Sequence, residues 1–382
     1  MSGFAFELVD TESQKANIKV IGVGGSGGNA VSHMVNHGIQ GVDFLCANTD
    51  AQDLTKSNVQ TKIQIGIETT KGLGAGMDPR VGRISAEESR KDIKNAIQGA
   101  DMLFITAGFG GGTGTGASPV IAKIAKEMNI LTVAVVTKPF YFEGVLRSEY
   151  AESGIEELEK NVDTLIIVPN DKLQELGKTI SMINAFEAAD DILLNSVQGI
   201  VELITVPGKI NLDFADVRAV MLNKGRGIMG SAIAKGPDRA KKAIEEAVNS
   251  PLLEDANLEG AEGILLNVTF GDASFEISEF NEIGNFVRSY ASDEAKVIVG
   301  TSVDESMSDS IRVTIVATGL GERLENQETN FRNYDNPITQ RRPLIETQDL
   351  FQDQAASPMD DEESEILDIP NYLKRQDDPF IL

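Results

Sequence analysis

Gly108-Phe109-Gly110-Gly111-Gly112-Thr113-Gly114-Thr115-Gly116 decides the fold of this 382-residue chain. Before it runs Met102-Leu103-Phe104-Ile105-Thr106-Ala107, an apolar stretch that reads as a buried strand. After it, Ala117-Ser118-Pro119-Val120-Ile121-Ala122-Lys123-Ile124-Ala125 predicts a helix with its proline in the first turn. Six glycines and two threonines between strand and helix suit an anion. Glycine lets the backbone approach a phosphate, and the helix N-terminus supplies unpaired N–H groups and a positive dipole end. A plain turn needs only about two or three such residues. The pattern predicts a phosphate loop.

Upstream, Ile18-Lys19-Val20-Ile21-Gly22-Val23 reads as a strand, Gly24-Gly25-Ser26-Gly27-Gly28-Asn29 as a second glycine loop, and Ala30 as the opening of a helix. Gly22-x-Gly24-x-x-Gly27 fits the dinucleotide fingerprint, with Asp50 near the expected ribose contact. That signal is weak alone. Gly24-x-Ser26-x-Gly28 fits a hydrolase nucleophile elbow, but the only histidines, His33 and His37, come too early for a triad. As an i, i+4 pair they could hold a metal; without acidic or cysteine ligands nearby, packing or surface roles are favoured. No Gly-x-x-x-x-Gly-Lys-Ser/Thr occurs, which excludes a P-loop NTPase.

Further loops follow strands in the same manner. Asn48-Thr49-Asp50 ends a second strand, and Gly72-Leu73-Gly74-Ala75-Gly76-Met77 precedes a charged helix over 85–98. Ile130 to Val136 is apolar on both faces and leads into Lys138 to Gly144, with Arg147 on the next helix. Thr164 to Val168 is one more strand, with Pro169-Asn170-Asp171 as its loop. Strands alternating with helices to about residue 175 predict a doubly wound parallel sheet, whose ligand site lies beyond the strand carboxyl ends.

A helical pattern then runs from Ile183 to Thr205, roughly 34 Å at 1.5 Å per residue. Beyond its Pro207-Gly208 stop lies Asn211-Leu212-Asp213-Phe214-Ala215-Asp216-Val217-Arg218. Two acids three apart beside an asparagine read either as a water-activating set or as a helix N-terminus with a capping acid. Asp213 and Asp216 lie too far along the helix to reach a nucleotide held by their own chain.

The remainder reads as a small α+β domain: a helix over 241–248, strands at 263–270, 295–300 and 311–318, and a helix over 278–291. Residues 321–365 are polar without period and predict a disordered linker with an r.m.s. span of about 37 Å. Ile366-Leu367-Asp368-Ile369-Pro370-Asn371-Tyr372-Leu373-Lys374-Arg375-Gln376 reads as a short binding motif at its end. The net charge is −25, of which −9 lies in residues 321–382, and this excludes general nucleic-acid binding. No apolar run predicts a membrane span, amphipathic anchor or signal peptide, and a single cysteine, Cys46, fits a reducing cytoplasm.

These motifs together resemble the tubulin/FtsZ family, and within it the members that build the bacterial division ring. Gly110 to Gly116 matches the family signature, and Asn211 to Arg218 resembles its synergy loop, the two flanking a long helix in the right order. The likeness runs from about 17 to 319, and Asp368 to Gln376 resembles the family's adaptor-binding tail. It implies an α/β fold: a doubly wound, parallel-sheet GTP-binding domain, a long central helix, a smaller α+β domain and a disordered tail. The boundaries that follow are a flexible lead over 1–16, the GTP-binding domain over 17–182, helix and catalytic loop over 183–231, the α+β domain over 232–319, the linker over 320–365 and the tail peptide over 366–382.

By the same resemblance, Gly25, Ser26, Gly27, Gly28 and Asn29 with Gly112, Thr113 and Gly114 would hold the α- and β-phosphates of GTP or GDP. Ala75 and Gly76 would approach the γ-phosphate, Glu143 and Arg147 the ribose and phosphate side, and Asn170 the sugar or base. Phe186 would stack on guanine, and Asp190 would accept its N1–H and N2 amine, a donor pair adenine lacks. Asp213 and Asp216, with Asn211, would polarise water and bind a cation in the adjoining subunit's site, with Mg²⁺ and K⁺ as the cations implied. The implied protein is a GTPase polymerising head to tail at the mid-cell division site, tethered through residues 366–376 to membrane-bound adaptors. A dinucleotide-dependent dehydrogenase leaves three glycine loops unexplained, and intact Asp213 and Asp216 argue against a tubulin-like protein that does not hydrolyse GTP. Ser26, where relatives often carry glycine, and the extension Asp377 to Leu382 depart from the pattern.

Overall fold

The computed structural model describes residues 16–176, 182–206, 208–210, 212–223, 225–250, 260–271, 275–292 and 294–320. The lead up to residue 15, Asn211, the linker from 321 and the tail peptide lie outside them. Ten strands form one sheet: β1 (Ile18–Val23), β2 (Val42–Asn48), β3 (Thr61–Gln64), β4 (Met102–Gly108), β5 (Leu131–Lys138), β6 (Thr164–Pro169), β7 (Gly225–Lys235), β8 (Gly263–Phe270), β9 (Lys296–Val303) and β10 (Ser310–Leu320). Their spatial order is β3-β2-β1-β4-β5-β6-β7-β10-β8-β9.

From β3 to β7 every pairing is parallel, whereas β10 pairs antiparallel with both β7 and β8. The parallel part is covered on both faces. Alternate residues sort to opposite sides: Met102 and Phe104 pack towards the helices Gly24–Asn36 and Met182–Thr205, Leu103 and Ile105 towards Thr113–Glu127 and Val145–Glu159. That is why these strands read as continuous apolar runs. A third apolar cluster joins β7, β8 and β10 to the helices Arg239–Val248 and Ile277–Tyr290.

The structure corrects the reading in several places. Gly225–Lys235 is a strand, where the sequence reads only as the tail of a helix-and-loop segment; three glycines in its first six residues hide it. Its first residues pair with β6, from Thr164↔Gly225 to Ile166↔Gly227, so the second half continues the first half's sheet. The charged helix over 85–98 is two helices, Pro79–Glu88 and Arg90–Ile97. The helix after the signature starts at Thr113, not Ala117, which places Pro119 in its interior rather than its first turn. Packing overrides propensity there: a Cβ on Gly116 would stand 1.9 Å from the carbonyl oxygen of Pro79, so only glycine lets the two helices meet. Likewise Gly24 to Asn29 is not a free loop; it forms the first turns of Gly24–Asn36.

Candidate nucleotide site

β1, β2, β4, β5 and β6 are mutually parallel and deliver their C-terminal loops to one edge of the sheet. Two helix N-termini meet there. Gly24, at φ 74°, runs so close to the second helix that its Cβ would lie 3.0 Å from the Gly114 nitrogen. Neither Gly24–Asn36 nor Thr113–Glu127 carries a side-chain cap or a first-turn acid, so their leading N–H groups and dipoles face the edge uncompensated. Their short neighbours, by contrast, are capped by Asp50 and Asp78. Uncapped N-termini side by side suit a polyphosphate.

The third glycine segment closes on the same place. A Cβ on Gly112 would come within 2.8 Å of Ala75 Cβ, and Thr49 Oγ1 lies 2.6 Å from Thr113 Oγ1. Thr115 Oγ1 accepts the Gly110 N–H at 2.9 Å and fixes the loop from within. The Thr49–Thr113 pair joins residues 64 apart, and no spacing rule finds it. Ser26 is no obstacle, because it has an ordinary helical backbone with negative φ, and its hydroxyl lies beside Gly108.

Beyond the phosphate loops lies an aromatic and polar flank. Glu143 pairs with Arg147 at 2.8 Å and accepts the Phe140 N–H at 3.0 Å, and Arg147 backs onto Gly110 and reaches Met77 Sδ. Buried Phe140 supports Phe186 edge-on at 5.5 Å, and Phe186 stays 43% exposed at the start of the long helix's second turn. Asp190 follows one turn later; burial above all pushes its carboxyl up to about 6, with Asp191 and Glu187 adding to the rise and His33 opposing it. Asn170, only 5% exposed, leaves its Oδ1 without a partner. A stacking face, a carboxylate and an orphaned amide oxygen together can recognise a purine ring carrying N–H donors.

Other candidates resolve differently. His33 Nε2 lies 2.7 Å from Asp191 and ties the first helix to the long one, whereas His37 Nδ1 lies 3.0 Å from the His33 carbonyl and stays with its own helix. Asp50 spends Oδ1 on the N–H groups of Gln52 and Asp53. Cys46 lies buried beside Gly28, and desolvation raises its thiol to about 11, which keeps it protonated. Asp213 and Asp216 are apart from all of this. Met182–Thr205, 24 residues and roughly 36 Å long, intervenes. Asp213 does cap Phe214–Met221, its Oδ1 accepting the Asp216 N–H at 2.8 Å. Among the described residues no group of three or more His, Cys, Asp or Glu could hold a metal, and no helix is long and apolar enough to cross a membrane.

The parallel sheet, its paired uncapped helices and its aromatic and polar flank define a nucleotide-binding α/β protein of the tubulin-like class. Residues 17–178 match the model of the Tubulin/FtsZ family, GTPase domain, and 225–321 that of the FtsZ family, C-terminal domain. Cell division protein FtsZ of Coxiella burnetii is 50% identical, over 97% of this chain and 99% of its own. That of Wigglesworthia glossinidia brevipalpis is 51% identical, over 98% and 100%. An empty FtsZ dimer of M. jannaschii superposes with a TM-score of 0.78 at 44% identity, covering 82% of this chain and 90% of that one. The chain belongs to the FtsZ family. It is a GTP-binding, GTP-hydrolysing cytoskeletal protein of cell division. The dinucleotide fingerprint is thus a coincidence of shared need, since any pyrophosphate between a strand and a helix asks for glycine.

Proposed function

We propose that GTP lies across the strand-end edge and is hydrolysed only when a second copy covers it. Gly25 to Asn29 and Gly112 to Gly114 hold the α- and β-phosphates, and Ala75 and Gly76 meet the γ-phosphate. Glu143, Arg147 and Asn170 hold ribose and base, Phe186 stacks on guanine, and Asp190 accepts its two donors. One observation carries this reading. The edge is rimmed by apolar side chains left in water, with Leu73 82%, Tyr141 84% and Val145 69% exposed. Apolar side chains gathered in water along one edge suit a surface that a partner covers.

Asp213 and Asp216 of the covering subunit, with Asn211, complete the site by polarising the attacking water. A contact between unlike ends of one chain does not close, so it extends into head-to-tail filaments. Mg²⁺ fits this site, because it needs one or two carboxylates besides phosphate oxygens and water. Asp213 has an oxygen to spare after capping its helix. The ion supplies charge neutralisation at the phosphates, and K⁺ is a second candidate cation. Residues 366–376 recruit membrane-tethered division adaptors, which places the filaments in the cytoplasm at mid-cell without direct membrane contact.

The test is GTP turnover per molecule against protein concentration, with Mg²⁺ and K⁺ present and light scattering recorded alongside. Turnover near zero at low concentration, rising with scattering above a threshold, is the expected result. A constant rate per molecule without scattering sinks the shared site.

A further inference from the structure

The acidic loop leaves the long helix through a short segment docked on β9, and one buried side chain does the docking. Thr301 Oγ1 accepts the backbone N–H of Lys209 at 3.1 Å and of Ile210 at 2.9 Å. The Thr301 N–H donates to the Ile210 carbonyl at 3.2 Å. A Cβ on Gly208 would fall 1.7 Å from the Thr301 carbonyl oxygen, and one on Gly300 would fall 3.0 Å from Leu212 Cδ1. Gly208 to Ile210 are therefore held flat against the strand, and Leu212 packs on it. Asp213 comes next.

Two successive N–H groups outside regular structure need an acceptor, and a strand side chain provides it. We infer that Thr301 is a positioning residue for hydrolysis: its hydroxyl sets the take-off of the loop that carries Asp213 and Asp216. The inference rests on those acids completing a neighbour's site. Displacement of a reacting group by about 1 Å costs up to about a hundredfold in rate, so a residue far from the nucleotide can govern turnover. The competing role is purely structural, since Thr301 also pairs with Val268 of β8. The two roles separate cleanly. Valine matches threonine in shape and is as good a strand former, so β9 itself tolerates Thr301→Val and what the substitution removes is the acceptor of the two N–H groups.

The experiment compares full-length Thr301→Val and Thr301→Ser with Asp216→Ala, reading affinity for a fluorescent GDP, sedimentable polymer with GTP, and turnover per polymerised subunit. Amide hydrogen exchange at Lys209 and Ile210 is followed in the GDP-bound, unassembled chain. Thr301→Val is expected to lower turnover about ten- to a hundred-fold, leave GDP affinity and polymer yield unchanged, and speed exchange at both amides. Thr301→Ser, which keeps the acceptor, restores turnover and protection. Wild-type turnover in Thr301→Val, or an equal loss in Thr301→Ser, overturns the inference. Should Thr301→Val fail to fold, Thr301→Ala takes its place, and unchanged protection at Lys209 and Ile210 overturns it again. Full turnover in Asp216→Ala rejects the shared site itself. Loss in Asp216→Ala alone rejects only the part given to Thr301.

Discussion

The two halves of the sheet are buried alike but connected differently, and the connection decides what each can present. β4 and β5 in the first half, and β8 and β10 in the second, are almost entirely buried. In the parallel half every strand ends on the same edge, so glycine segments scattered between residues 24 and 116 converge. In the second half β10 runs against both neighbours, and loop chemistry is divided between opposite edges. Burial builds a core in either half. Only parallel strands concentrate loops into a site.

The long helix packs apolar side chains against both halves, and against the second it adds a polar contact. Towards the first it offers Leu193, Val197 and Ile200 to an apolar layer. Towards the second it offers Glu202, which takes both Arg312 bonds at 2.7 and 2.8 Å and the Thr269 hydroxyl at 3.0 Å. The neighbouring Gly199 carbonyl accepts from Asn267. A satisfied polar contact has directional geometry, so it fixes the helix in one register where an apolar layer tolerates several.

The sharpest way to break this comparison is Glu202→Ala. It leaves the Arg312 guanidinium buried and unpaired, and the expected cost is about 3–5 kcal/mol in urea unfolding, with GTP affinity of the folded protein unchanged. Equal damage to nucleotide binding would mean that the second half helps to build the site. Next comes Asp216→Ala, expected to lose turnover by a factor of about 10²–10³ while binding GTP normally. Failure to bind would place that acid in its own chain's site. Smaller is Gly27→Ala in the first half: a Cβ there would lie 2.3 Å from the Thr106 carbonyl oxygen, so the helix must shift. About 1–3 kcal/mol of stability and weaker GTP binding should go together, and a loss of stability without weaker binding would uncouple that helix from the phosphates.

The mildest test is pH. Asp190 must be ionised to accept guanine's donors, and its carboxyl titrates at about 6. GTP affinity should be flat above that value and fall by up to about tenfold per pH unit below it. Asp190→Asn should bind more weakly and lose the pH dependence. A slope that survives in Asp190→Asn assigns the titration elsewhere.

Much of the fold was legible because its signals are local. Apolar runs closed by glycine mark β1 and β4, and the helical pattern from Ile183 to Thr205 marks the long helix to within a residue. Misreadings fell where a distant contact overrode a local rule. Gly225 to Gly230 is too rich in glycine to read as a strand until β6 and β10 pair with it. Pro119 reads as a first-turn residue until Gly116 and Pro79 show how early the helix begins. The site divides in the same way. Its glycines stand out by composition; Phe140 behind Phe186, Thr49 on Thr113 and Thr301 beneath the acidic loop are ordinary residues in ordinary places, given meaning by neighbours from 46 to 92 positions away.

Residue order was enough to say that this chain builds a parallel α/β sheet with phosphate-seeking loops, that a helix of more than thirty ångströms follows it, and that two acids lie past that helix. Those facts depend on residue type, spacing and the fixed rise of a helix. It took the folded chain to show that one sheet runs through both halves, that two helix N-termini lie uncapped side by side, and how the acidic loop is held on β9. Those depend on which backbone groups find partners far along the chain, and no local pattern carries that information.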